Sequence, residues 1–438
     1  MPEINQLPYH NLKIRLIMLT LLAFIVLTAL SGPVRMGLSM LGLSMLVYIP
    51  NALMILLIIW QIFSEPYERG FSALNLITII IALTAFIVGM QFLPIVQVAM
   101  GVYVLLPFVF GIVCGPVIIA NIQRVNLFAP WLWALAISGV YINYFIIYPW
   151  EGFGYSLGSL EVEGSRQWYA TGGIKRLAGF SRSSFDAAGQ ILIFGLLFVI
   201  FLKNFYLKSI IWIASAIAIF ITTCKGIFLV SLILTPIVLF RHALPQTPLR
   251  VLPLFFGVLG LSLPISTLLF TFDSQFSNPE LANLTFSYFD RLNYMWPEAW
   301  KLLYENGNMF MGRGLGGIGT AQTYFESDMF NAADNLFLYW FIVFGWAVLP
   351  VVIILMLRTI SIKPLEDQIQ FTIYCLLLSV IVYGMLTNIV ENALFGIVCG
   401  MIIRWLSGTP RTSTSTSTSA KDLSRPSPFN SHIPVQPI

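Results

Sequence analysis

Twelve apolar runs, each about 14 to 26 residues long, succeed one another along this chain. They cover approximately residues 14–31, 37–62, 71–90, 96–120, 130–148, 186–202, 209–222, 226–240, 252–271, 334–357, 370–388 and 391–406. About 20 apolar residues in a helix cross a hydrocarbon core, so the pattern predicts an all-α, polytopic membrane protein of about twelve spans. Composition removes the soluble alternative. Of 438 residues, 58% are apolar and 10% charged, where a globular domain carries about 25% charged residues. Mean hydropathy is +0.85. Residues 1–406 are read as one membrane domain, and 407–438, with its RTSTSTSTSA run and prolines, as a disordered cytoplasmic tail.

The positions of Lys and Arg predict the orientation. If the N-terminus is cytoplasmic, the breaks on that side hold Lys13, Arg15, Arg69, Arg124, Lys203, Lys208, Arg241, Arg250, Arg358, Lys363 and Arg404. The short breaks on the other side are nearly free of positive charge, Arg35 excepted. Both termini are therefore expected in the cytoplasm. Ala29 and Ser31 fit a small-x-small cleavage pattern, but the first run is about 18 residues long and leads straight into another, which favours an uncleaved anchor. Two longer breaks, 149–185 and 272–333, fall outside, and any aqueous chemistry is expected there.

The polar residues narrow that chemistry. Cys114, Cys224, Cys375 and Cys399 lie in or beside apolar runs without metal-ligand spacing, so neither a disulfide nor a zinc site is indicated. His10, His242 and His432 lie near the ends or in a short basic loop, which argues against a histidine-centred site. Positive charge does collect where it is normally depleted. The first long break ends with Lys175, Arg176, Arg182 and Asp186, Lys225 lies in a turn between two spans, and Arg291 and Arg313 lie in the second break. All of these cations except Lys175 can approach one membrane surface, where low dielectric strengthens their pull on an anion. Pairing with Asp186, Asp290, Glu298 or Glu305 is the structural alternative.

In the second break, Leu292, Met295, Trp296, Ala299, Trp300 and Leu303 recur at helical spacing, predicting an amphipathic helix with aromatic anchors at the membrane interface. Gly312, Gly314, Gly316, Gly317 and Gly319 follow. Such a run lets backbone amides approach a ligand or lets a loop bend tightly. Without a Walker lysine or a preceding strand it does not read as a nucleotide site. Glu161 with Glu163 and Glu326 with Asp328 have spacings that suit Mg or Mn, but no further ligand motif accompanies them, and solvated surface is the favoured reading. No metal and no cofactor is assigned.

The segments FDRLNYMWPEAW, GRGLGGIG and DNLFLYWFIVFG together resemble the O-antigen ligase and polymerase superfamily of bacterial polysaccharide assembly. In that family an Arg opens the long outer loop, a GxGxG element follows, and HN-x-x-L begins the next span with Gly ten residues after the Asn. Arg291, Gly312, Gly314, Gly316, Asn335, Leu338 and Gly345 match. RLAGFSRSSFDAAG resembles the family's RxxG segment through Arg176 and Gly179, and TCKG resembles its SRG turn with Lys225 in place of Arg. The family's His position holds Asp334, so a His-dependent ligase mechanism does not carry over, and the resemblance favours the repeat-unit polymerase (Wzy-type) branch.

The resemblance implies a GT-C-like membrane fold in the bacterial inner membrane. It also implies polymerisation of undecaprenyl diphosphate-linked oligosaccharides into an O-antigen or exopolysaccharide at the outer face. Implied partners are those lipid-linked units, membrane lipid, and chain-length regulator and flippase proteins, with no nucleic acid. Stabilising a departing diphosphate calls for Arg or Lys donors. Arg176 and Arg291 are the expected catalytic cations and Asp334 the expected partner of the acceptor hydroxyl. Arg182, Lys225, Arg313, Gly312, Gly314, Gly316 and Asn335 are expected to bind substrate, and Asp186 to serve as a pairing anion at a helix start. The alternatives are ligase-type glycan transfer, a polysaccharide transporter or flippase, and a scaffold subunit of an export complex. Transporters concentrate ionisable residues at the midplane, whereas here they gather at span ends, Glu391 being the partial exception.

Overall fold

The computed structural model describes residues 7–69, 73–157, 160–170, 173–272 and 279–408. Almost all of the tail at 407–438, with His432, lies outside them. The apolar runs become helices. In order these are α1 (Leu7–Ala29), α2 (Ser31–Met40), α3 (Ile49–Arg69), α4 (Ala73–Phe92), α5 (Ile95–Ala120) and α6 (Ile122–Phe145). A two-stranded antiparallel hairpin follows, β1 (Gly154–Leu157) with β2 (Leu160–Glu163), pairing Tyr155 with Val162. Next come α7 (Ser184–Ile200), α8 (Phe205–Ile221), α9 (Lys225–Leu239), α10 (Gln246–Ser266) and α11 (Pro279–Asp290). A π-helical turn, Arg291–Met295, leads into α12 (Trp296–Asn306), and α13 (Thr320–Phe325), α14 (Leu336–Phe344), α15 (Leu349–Thr359), α16 (Gln368–Gly384) and α17 (Ala393–Leu406) complete the chain.

Short polar side chains start the later helices by accepting amide hydrogens that have no carbonyl partner in the first turn. Ser183 does so for α7, Asn204 for α8, Asn335 for α14, Asp367 for α16 and Asn392 for α17. The core lies around α7 and α16, which are buried without a break over Ala187–Leu197 and Phe371–Gly384. Against this core α5 and α17 touch through their backbones. A Cβ on Gly111 would stand 2.2 Å from the Ile397 carbonyl oxygen, and one on Gly400 2.2 Å from that of Phe108, the small-residue packing of membrane helices.

The outer faces invert the pattern of a soluble bundle. Leu56, Ile80, Ile210, Phe220 and Phe255 point outward and are exposed, which suits lipid and not water. Among the described residues five helices are long and apolar enough to cross a membrane: Asn11–Ala29, Ser44–Ser64, Ile95–Ala120, Ile122–Phe145 and Gln246–Ser266. This is a mostly helical, membrane-embedded protein.

The fold is mostly helical, consistent with the all-α expectation, and the break at 149–185 adds only the small β1–β2 hairpin. Several expectations need correction. The run at 37–62 is interrupted: α2 stops at Met40, Gly42 takes φ 71°, and a 3₁₀ turn at Ser44–Tyr48 precedes α3. The run at 334–357 is two helical pieces bent by 117°. Its hinge is Gly345 (φ 69°), where a Cβ would lie 2.3 Å from the Phe310 backbone. The carbonyls freed at the end of α14 are taken by a neighbouring loop, since Arg313 and Gly314 donate their backbone N–H groups to Ile342 and Val343. The helix around Trp296 and Trp300 is not an interfacial anchor. Both indoles are buried; Trp300 stacks on Trp346 at 5.5 Å and donates to the Pro264 carbonyl at 2.9 Å.

Candidate functional site

A cavity of about 2490 Å³ opens among α1, α3, α5, α7, α9, the hairpin and the ends of α11 and α16. Pockets for single small molecules run to about 1,000 Å³, so this space suits something much larger. Its two kinds of wall differ sharply. Phe24, Leu27, Ile55, Phe145, Ile147, Phe220 and Leu229 line it, and of these Ile55, Phe145, Ile147, Phe220 and Leu229 also belong to the exposed apolar surface. The cavity therefore reaches the lipid-facing side. Among the described lining residues the cations are Arg35, Arg166, Lys175, Arg176, Arg182, Lys225 and Arg291, against the carboxylates Glu163, Asp186, Asp334 and Glu391. Seven against four leaves an excess of positive charge in a partly apolar space, an arrangement that attracts anions.

Arg291 begins the π-helical turn, a local widening of the helix frequent at functional sites. Its Nε and Nη2 donate to Asp334 Oδ2 at 3.0 and 2.8 Å, and its Nη1 donates to the Ser287 carbonyl at 2.9 Å. Thr387 Oγ1 donates to the other oxygen of Asp334 at 3.3 Å. Asp334 has φ 41° and Ala333 φ 62°, a left-handed pair that costs about 1–3 kcal/mol per residue and persists only where the surroundings enforce it. Thr223, two residues before Lys225 on the same cavity wall, is also left-handed (φ 62°). Arg291 pairs with Asp334 and not with Asp290, Glu298 or Glu305, the partners offered by the structural alternative.

Arg176 is held more loosely. Its guanidinium lies 5.2 Å from the centroid of the Phe185 ring, and among the described residues its buried Nε has no hydrogen-bond partner. Asp186 caps α7 with Ser183 and accepts from Asn392 Nδ2 at 2.8 Å, so it is committed to structure at the helix start. Glu391, on the same wall, accepts from the backbone N–H and hydroxyl of Thr320 at 3.0 and 2.7 Å.

The remaining expected substrate contacts lie elsewhere. Arg313 is buried, does not line the cavity, and donates from Nη2 and Nη1 to the two oxygens of Glu326 at 2.6 and 2.9 Å. It also donates to the carbonyls of Gly317 and Asn306. Burial by itself would raise the Glu326 carboxyl, but hydrogen bonds from Arg313 and Gln97 hold it below its ordinary range. Glu326 is thereby taken from the ExD pair, and among the described residues no three His, Cys, Asp or Glu side chains gather as a metal-ligand set. Gly312, Gly314 and Gly316 adopt φ 87°, 80° and 81° and lie against backbone: a Cβ on Gly314 would be 2.1 Å from Gly89 N, and one on Gly316 2.5 Å from Gln97 O. The Gly314 amide is spent on Val343, which makes the run a packing element instead of an anion cradle. Asn335 is fully buried, caps α14, and uses its Nδ2 on the carbonyls of Gly260 and Met385.

Arg35, Arg166 and Lys175 enter the cavity lining unanticipated. For Arg35 the sequence holds a signal, since it is the exception among alternate short breaks otherwise poor in positive charge. Lys175 pairs with Glu151 and Arg166 with Glu163. Burial, with Arg166 and Arg35 close by, pulls the Arg182 guanidinium below the ordinary arginine value. Neither a family model, nor a curated protein, nor a solved structure matches this chain.

Proposed function

We propose that this protein is a membrane glycosyltransferase that polymerises undecaprenyl diphosphate-linked oligosaccharide repeat units at the outer face of the bacterial inner membrane. The observation that carries the reading is one cavity joining exposed apolar walls to an excess of arginine. That combination matches a substrate with a polyprenyl tail, a diphosphate and a sugar. The shorter apolar helices serve as the other spans, giving about twelve with both termini cytoplasmic and the two long breaks outside. The donor's anomeric C–O bond to diphosphate breaks and the diphosphate leaves with the electron pair. The acceptor hydroxyl forms the new glycosidic bond and loses its proton. Arg176, Lys225 and Arg291 stabilise the departing charge, while Asp334 orients Arg291 and stands as the carboxylate for the acceptor hydroxyl. No nucleotide is consumed, because the activated bond arrives on the lipid.

The test is purified protein in liposomes with a defined lipid-linked repeat unit, without nucleotide or ion gradient. A ladder of lengthened lipid-linked glycans is expected. Transbilayer movement of the lipid-linked unit without lengthening would overturn the reading in favour of a flippase. Asp334→Asn removes the negative charge that both Arg291 hydrogen bonds share on Oδ2, a loss of about 1.5 kcal/mol, so turnover in the same assay should fall roughly 10-fold at unchanged membrane abundance. Normal ladders from this variant would reduce Asp334 to a structural partner. Replacing His10, His242 and His432 together by Ala should leave the ladder unchanged, and its loss at normal protein level would refute a histidine-independent mechanism.

A further inference from the structure

Three arginines from separate segments line the cavity together with the β1–β2 hairpin. Arg35 comes from α2, Arg166 follows β2, and Arg182 precedes α7. The Arg166 backbone N–H donates to the Arg182 carbonyl at 2.8 Å, both side chains bond Glu163, and Arg35 bonds Tyr155, whose strand partner Val162 precedes Glu163. Carboxylates do not match them. Arg166 Nε bonds Glu163, a largely exposed side chain, while Arg182 Nε donates to the Glu163 backbone carbonyl, not to its carboxylate. Arg35 Nη1 donates to the Tyr155 hydroxyl at 2.8 Å, and among the described residues its buried Nε has no partner. Asp186, which also acts on Arg182, is occupied by Ser183 and Asn392.

Tyrosines surround the cluster. Tyr48 and Tyr103 lie edge to face at 5.9 Å, and the hydroxyls of Tyr48 and Tyr155 are 3.3 Å apart. Aromatic faces and phenolic hydroxyls present an apolar body with a polar tip, the combination that suits a sugar ring. Guanidinium forks match carboxylate oxygens two by two. Arg166, Arg182 and Tyr155 belong to the non-helical outer loop and not to the apolar helix walls that suit a lipid tail.

We infer that Arg35, Arg166 and Arg182, framed by Tyr48, Tyr103 and Tyr155, form a subsite for a saccharide bearing a carboxylate, so that the repeat unit held here contains an acidic sugar. The inference rests on the polymerase reading only for the source of that sugar. Its shared chemistry with a second lipid diphosphate is an oxyanion in a guanidinium cage, and the experiment separates the two.

Calorimetric titration of the purified full-length protein in detergent uses trigalacturonate, neutral maltotriose and inorganic diphosphate as probes. Saturable, salt-sensitive binding of trigalacturonate is expected, with at least 10-fold weaker binding of maltotriose. Arg35→Gln and Arg166→Gln should each weaken trigalacturonate at least 10-fold, whereas Arg291→Gln should change it less than 2-fold. Arg35→Lys, which retains the charge, should recover part of the affinity and covers the case in which Arg35→Gln fails to fold. Three results would overturn the subsite: no saturable trigalacturonate binding, an equal effect of Arg291→Gln, or displacement by diphosphate at lower concentration than the sugar itself requires. The last would assign the cluster to a headgroup. Because binding and not lengthening is read, an absent glycan ladder with intact trigalacturonate binding would sink the polymerase reading alone.

Discussion

Arg176→Ala and Arg291→Ala should each slow polymerisation about 30- to 1,000-fold, the loss of about 2 to 4 kcal/mol of transition-state stabilisation from one charge-assisted contact. The two residues enter the cavity from the two long breaks of the sequence, which on the proposed reading suits a site that holds donor and acceptor lipids together. Their restraints differ. Arg291 is fixed by Asp334 and the Ser287 carbonyl, while Arg176 lies over Phe185 with its Nε unbonded among the described residues. Lys substitution should restore only part of the rate at either position, because an ammonium lacks the planar fork, and at Arg176 it also loses the stacking surface. Polymer length and lipid-linked substrate affinity at matched expression check this. Near-normal ladders from both Ala variants would sink the diphosphate clamp, and loss of folded protein instead of rate would favour an architectural role.

Arg313→Met should destabilise the protein by about 3 to 5 kcal/mol, because it strands the Glu326 carboxylate in a mostly buried position. The guanidinium also bonds the carbonyls of Asn306 and Gly317 and thus closes the glycine run onto the end of α12. Adding Glu326→Met should recover part of the loss, since replacing both members of a buried pair costs far less than removing one. Thermal unfolding in detergent reads both variants. The folded fraction of Arg313→Met should bind the lipid-linked unit within about 2-fold of the parent, a factor worth about 0.4 kcal/mol. A large affinity loss without destabilisation would return Arg313 to the substrate.

The sequence of the two long breaks singled out segments that supply cavity-lining cations, but not the direction each side chain takes. Arg176 and Arg291 stood out because cations are costly beside lipid, and both line the cavity. By the same criterion Arg313 looked equivalent, yet it turns inward to Glu326, a partner that spacing alone did not single out among the carboxylates of the loop. Glycine spacing likewise states that a backbone is free to bend or approach. What it approaches here, the Gly89 amide and the Val343 carbonyl, lies in helices far away along the chain.

Hydropathy alone determined that the chain is helical and membrane-embedded, because burying unpaired backbone in hydrocarbon leaves few other solutions, and segment length and polarity are local properties. Tertiary structure decided the break at Gly345, the burial of Trp296 and Trp300, and the placement of Arg35 and Arg182 on one cavity. Each of these depends on which distant surface supplies a hydrogen-bond partner or fills a gap, and a linear pattern of residue types holds no information about that approach.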